Sequence, residues 1–178
     1  MENKPNSERR PMLTGMFKNR ESTEKAYNTL HERGYTKDDV NLVMSDETRA
    51  KHYSDENDDS DLGTKAAESA GTGSAIGGTI GAIAGVIAAI GTSIAIPGLG
   101  LIIAGPIAAG LAGAGAGGIT GGLIGALVGS GIPEDRAKVY ESGVKNGHVV
   151  MGVHPKNDED AKYLAENWKT NQGQDIYK

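Results

Sequence analysis

The chain has no cysteine, and it has one phenylalanine and one tryptophan among 178 residues. Without cysteine there is no disulfide, no thiolate nucleophile and no sulfur ligand for zinc. The redox compartment stays open, because a reduced cytoplasm and a cysteine-free secreted protein look alike. Few aromatics and a net charge of −5 remove the basic, stacking surface that nucleic-acid binding uses. No apolar run follows the polar segment Met1–Arg10, so no cleavable export signal is expected and the cytoplasm is the default compartment. The most informative absence is local. From Ala70 to Pro133 there is no Asp, Glu, Lys, Arg or His, and this stretch holds most of the 27 glycines. All 18 basic and 23 acidic residues flank it, so two unlike materials share one chain.

The flanks read as halves of an α+β unit. Met12 to Phe17 alternates as a short strand. A helix follows, with Ser22 as N-cap, Ala26, Tyr27 and Leu30 on its apolar face, and Gly34 where a left-handed residue is needed to end it. Thr36 to Asp39 is a Thr-x-x-Asp turn leading to a second strand at Val40, Leu42 and Met44. From Ser45 to Gly63 the chain is polar, with an acidic run from Asp55 to Asp61 and no apolar periodicity, which predicts a solvated linker. Beyond the uncharged block, Pro133, Glu134 and Asp135 open a helix whose Ala137, Tyr140 and Val144 share a face, closed by Asn146 and Gly147. His148 to Val153 is a third strand, and Asn157 caps a last helix with Ala161, Leu164, Ala165 and Trp168 at helical spacing. Neither flank has enough apolar area to fold alone, so together they predict a ferredoxin-like sheet backed by helices. The expected layout is a polar leader 1–11, a first half 12–53, an acidic linker 54–63, a helical hairpin 64–132, a second half 133–171 and a tail 172–178.

Within the block, Gly73, Gly77, Gly81 and Gly85 recur at every fourth position, and Ala89 continues the series. Gly105, Ala109, Gly113, Gly117, Gly121, Gly125 and Gly129 repeat it. In a helix four residues advance about 400°, so each series forms a slowly winding stripe along which another backbone can approach closely. Glycine costs about 1 kcal/mol relative to alanine in a water-exposed helix, so these helices need tight packing or lipid. Two arms, Thr64–Ile90 and Gly105–Gly129, are each long enough for a ~30 Å hydrocarbon layer. Gly91 to Ala104, with Pro97, Gly98 and Gly100, reads as an apolar turn between them. A hairpin of this kind would return the chain to its starting side. Gly73, Gly77, Gly81, Gly85, Gly113, Gly117, Gly121, Gly125 and Gly129 are the predicted helix-packing residues.

Patterns that carry catalysis are weak by comparison. Gly113, Gly115 and Gly118 satisfy GxGxxG, but no strand precedes them and glycine is dense enough here for chance matches. Asp55, Asn57 and Asp59 resemble the start of a calcium loop, yet Ser60 stands where glycine is needed and Ala66 where the bidentate Glu belongs. His31, His52, His148 and His154 lack ligand-like spacing, and Trp168 reads as a core anchor. No catalytic, cofactor or metal residues are expected, and hence no enzyme.

Three runs carry a family resemblance: Phe17 to Val43 with RGYTKDDVNLV, the glycine-rich insert with AIPGLG and AGPIAAGLAGA, and GIPEDRAKVYESGVKNGHVVMGV ending at Val153. In this order the chain resembles the bacterial general stress protein domain family of the seventeen-M type, related to heat-induced stress protein domains. The resemblance implies a stress-induced bacterial protein with no catalytic residues to carry over. The combined expectation is a non-enzymatic protein that joins the membrane through its helical hairpin and self-associates. Its partners would be membrane lipid and further copies of itself, with no nucleic acid and no small-molecule substrate. It would sit in the inner membrane with cytoplasmic flanks. The alternative is a cytoplasmic homo-oligomer or filament packed zipper to zipper.

Overall fold

The computed structural model describes residues 11–53, 94–96, 100–108 and 122–178. Its elements are β1 (Leu13–Phe17), α1 (Arg20–Glu32), a 3-10 turn (Lys37–Asp39), β2 (Val40–Ser45), α2 (Asp46–Tyr53), β3 (Ile94–Ile96), β4 (Leu101–Ala104), α3 (Gly122–Gly129), α4 (Glu134–Lys145), β5 (Val149–Val153), α5 (Asp158–Thr170) and β6 (Gln174–Tyr177). The protein is α+β, with one six-stranded sheet in the order β3-β4-β2-β5-β1-β6. Every neighbouring pair is antiparallel. β5 lies between β1 and β2, with Gly15 opposite Met151 and Leu42 opposite Met151 on its other side. The two flanks therefore share one sheet, as their limited apolar supply requires.

Local chemistry sets the ends of the elements. Asn19, rather than Ser22, caps α1, its side chain accepting the Ser22 amide at 2.8 Å. Gly34 closes the helix at φ +74°, where a Cβ would be strained. Thr36 and Asp39 bond reciprocally, the carboxylate accepting the Thr36 amide at 2.7 Å. Asn157 caps α5 by accepting the Asp160 amide at 2.7 Å, and Gly147 follows α4 at φ +86°.

Both faces of the sheet are covered. Leu13, Phe17, Leu42, Met44, Met151 and Val153 point to one face and pack with Leu30 of α1 and Trp168 of α5. Phe17 and Trp168 meet edge to face with ring centres 5.5 Å apart, a geometry worth about 0.5–1.5 kcal/mol beyond the area buried. Met16, Val43, Ile103 and Val150 point to the opposite face, under Leu123 and Leu127 of α3 and Tyr140 and Val144 of α4. This double cover explains why the strands read as unbroken apolar runs such as VVMGV and LIIA.

Three segments differ from expectation. Ile94–Ile96 and Leu101–Ala104, expected inside a turn, are strands, and β4 adds itself to β2 with Val43 opposite Ile103. The run is rich in β-branched residues, which suit a pleated, buried surface better than a loop. Asp46–Tyr53, expected as the start of a linker, is a helix whose first turn is capped by the Ser45 hydroxyl, which accepts the Thr48 amide at 3.0 Å. In the expected tail, Gln174–Tyr177 pairs with β1 as the edge strand. Among the described residues no helix is long and apolar enough to cross a membrane.

Candidate functional site

Apart from Gly105, which lies in a bend at φ +98°, the part of the glycine series that can be placed is on α3. Its sequence, GLIGALVG, puts Leu123, Ala126 and Leu127 on one side, each about 1% exposed, against α4 and the sheet. The other side holds Gly125, Val128 and Gly129. Among the described residues, a Cβ added at Gly125 or Gly129 would meet no atom within 4 Å, and Val128 is 43% exposed. Several bonds end the helix. The Ser130 hydroxyl donates to the Ala126 carbonyl at 2.9 Å, the Gly131 amide to Val128 at 2.9 Å, and the Ile132 amide to Leu127 at 3.0 Å. With Gly131 at φ +90°, Ile132 folds back to be 3% exposed and locks α3 onto α4. The outward stripe is thus held on a fixed helix, uncharged from end to end.

Gly73, Gly77, Gly81, Gly85, Gly113, Gly117 and Gly121 lie outside the described residues, as do the GxGxxG run at Gly113, Gly115 and Gly118 and the calcium-like run at Asp55. Gly125 and Gly129 are therefore the predicted packing residues whose surroundings the structure defines.

What anchors the insert to the sheet is a residue that the periodicity does not single out. Asn41 of β2 is 2% exposed. Its Oδ1 accepts the Ile107 amide at 2.8 Å, and its Nδ2 donates to the Gly152 carbonyl at 3.4 Å. A polar side chain in an otherwise apolar strand, VNLVMS, was the available signal. Beside it, Met12, Thr14, Val43, Ile107, Leu127 and Ile132 border a gap of about 10 Å³, room for one water at most.

The titratable groups that are buried serve packing. Asp160 accepts Arg33 Nε at 2.7 Å and the Tyr35 hydroxyl at 3.0 Å, tying the end of α1 to the start of α5. Burial raises its pKa, but the Arg33 and Tyr35 hydrogen bonds outweigh burial and hold the carboxyl below its ordinary value. Tyr140 Oη lies 2.8 Å from Thr14 Oγ1 and donates to the Asp175 carbonyl at 2.7 Å. Its hydroxyl is pushed up to about 12, chiefly by burial. Arg20 donates to the His52 carbonyl at 2.7 Å and stands 3.7 Å from the buried Glu24, joining α2 to α1. Tyr27 and Tyr53 beside them are also raised to about 12, first by burial.

The histidines are dispersed. His31 is exposed at the end of α1 and His52 half-buried in α2. His154 is exposed after β5, and His148 Nδ1 lies 3.4 Å from Met16 Sδ, its pKa lowered mainly by burial. Among the described residues no three His, Asp or Glu side chains come together to hold a metal. Trp168, fully buried, is the core anchor that its helical spacing predicts. No protein-family model matches this chain, and neither the curated proteins nor the solved structures contain a match to it.

Proposed function

We propose that this chain is a non-enzymatic assembly protein whose copies join through the glycine stripe that α3 presents outward, with the stress-associated role that its family resemblance implies. One observation carries the reading: no described residue comes within 4 Å of where a Cβ would stand at Gly125 and Gly129, on a helix whose opposite side packs against the body. Small residues at four-residue spacing on a rigid helix allow a second backbone to approach closely, and close approach supplies the contacts that stabilise such pairs. A homo-oligomer is the natural product of a surface complementary to itself.

The expectation of a bilayer-spanning hairpin fits the connectivity less well. The apolar middle of the block belongs to the sheet as β3 and β4, which divides the rest into residues 54–93 and 109–121, each joined to the same body at both ends. A 109–121 helix would be ~20 Å long, too short to cross a ~30 Å layer and come back. Two crossings within 54–93 would use about 40 residues, including the acidic run Asp55–Asp61. Association with a lipid surface, without spanning, is the second reading, favoured by the 70–133 stretch without charge.

Sedimentation of the purified full chain, with and without detergent, separates the two. Assembly predicts discrete oligomers in plain buffer. A detergent-dependent monomer that floats with vesicles of anionic and neutral phospholipid would support the lipid reading and remove this one.

A further inference from the structure

α1, α3, α4 and α5 each turn off through a left-handed residue two positions beyond the last helical one. After α1, α3 and α4 that residue is glycine: Gly34 at φ +74°, Gly131 at +90° and Gly147 at +86°. After α5 it is Gln172 at φ +63°. The hydrogen bonds of the turn are still made, from the Gln172 amide to the Lys169 carbonyl at 3.1 Å and from the Gly173 amide to the Trp168 carbonyl at 2.7 Å. The helix thus closes as the others do, but with a side chain where the backbone favours none.

A second residue of this kind, Asp175 at φ +48°, lies within β6. Thr14 pairs with Tyr177 and Met16 with Gln174, so two steps along β1 match three along β6, and Asp175 is the extra residue of a bulge. Among the described residues, Gln172 and Asp175 are the non-glycine positions with positive φ. Strain of this sort persists only where the surroundings hold it, and here it is gathered in β6 and the link that leads to it.

Few contacts hold β6, and all are specific. Gln174 and Asp175 are exposed, while Ile176 packs against the core that contains Trp168. The Asp175 carbonyl accepts the Tyr140 hydroxyl at 2.7 Å. Arg136 stands 3.8 Å from the Asp175 carboxylate and 5.5 Å from the centre of the Tyr177 ring. None of these contacts requires β6 to come from the same chain. A second copy carries the same strand, so its fit to β1 is already complete, and pairing within one chain differs from pairing between two only in the conformation of the 171–173 link.

We propose that β6 is an exchangeable strand: the edge of β1 accepts β6 from a second copy, and opening of the 171–173 link releases the left-handed conformation of Gln172. Short links under strain favour such exchange. The bulge at Asp175 is kept, because the Tyr140 and Arg136 contacts depend on it. The exchange uses no residue of α3, so it joins copies independently of the glycine stripe.

The cysteine-free chain lets the exchange be trapped. Met16→Cys is placed in one full-length chain and Gln174→Cys in another, so that a 16–174 disulfide forms only between copies. The two positions are opposite each other in the ladder, a spacing that suits a disulfide. Met16 is 5% exposed, which keeps it from random collision. Thr14→Cys with Tyr177→Cys repeats the test at the other pair. Each pair of chains is incubated together at high concentration, either folded or after joint refolding from urea, then oxidised mildly and mapped by peptide analysis. The 16–174 or 14–177 link should form, and Gln172→Gly in the chain that donates β6 should lower its yield about ten-fold, because glycine removes the left-handed penalty. Absence of both links in folded protein, or links indifferent to Gln172→Gly, would overturn the proposal. The links should also form when both chains carry Gly125→Leu and Gly129→Leu. Their loss in that background would overturn the exchange and leave the α3 reading standing.

Discussion

Asn41 Oδ1 accepts the backbone amide of Ile107 at 2.8 Å, and this bond fastens the glycine-rich insert to the middle of the sheet. Both groups are buried. Asn41→Leu removes the acceptor and strands the Ile107 amide, which costs about 1–3 kcal/mol. The loss is measured as a drop in the urea midpoint without change of slope. Hydrogen exchange should show the extra opening concentrated at Ile107 and Ala108.

The Arg33–Asp160 pair makes a pH prediction. The folded carboxyl lies below its ordinary value of 3.8, so its contribution to stability is fully present above that value. It is lost as pH falls from there through the folded pKa. Asp160→Asn should lower the urea midpoint at neutral pH and flatten its acid dependence. The two proteins should converge in midpoint once the pH falls below the folded pKa. Parallel curves at all pH values would show that the pair adds nothing.

Two glycine substitutions should have opposite signs. At Gly105, φ is +98° and an added Cβ would collide with the Val40 carbonyl oxygen. Backbone on both sides leaves no room to relax, so Gly105→Ala should cost at least ~2 kcal/mol. Gly125 sits in a helix with no described atom within 4 Å of an added Cβ, and Gly125→Ala should stabilise the isolated protomer by about 0.5–1 kcal/mol. Thermal melts at low concentration check both.

The flanks were legible because their signals are local. Gly34, the Thr36–Asp39 turn, Asn157 and the Ala137, Tyr140, Val144 face each act within a few residues, and each sits where its chemistry requires. What could not be read was the partner of each surface. The LIIA run looked like an apolar turn because Pro97, Gly98 and Gly100 dominated the window, although its β-branched residues suit a strand and Val43 was waiting to pair with Ile103. Ser45 followed by Asp46 and Glu47 was a usable helix start, hidden by the acidic run that follows. β6 carries little apolar pattern of its own and depends on β1 for its hydrogen bonds. The glycine stripe of α3 was visible as periodicity, but which side of α3 packs against α4 and the sheet is a tertiary fact.

The same double cover of the sheet changes what a deletion should do. Replacing residues 64–130 with a short Gly/Ser linker would remove β3, β4 and α3, uncovering Met12, Met16, Val43 and Val150. Such a protein should bind 8-anilinonaphthalene sulfonate and unfold with a broadened transition. A soluble, cooperatively melting product would show that the flanks suffice without the insert.

The central claim is that copies meet on the outward stripe of α3, and the most direct measurement is sedimentation velocity on the Gly125→Leu, Gly129→Leu double variant. Neither position has a described atom within 4 Å of an added Cβ, and the substitution places branched side chains where a second backbone would touch. The account predicts that the wild-type chain sediments as an oligomer and that the variant sediments as a monomer with an unchanged circular dichroism spectrum. A variant that assembles like the wild type would contradict it.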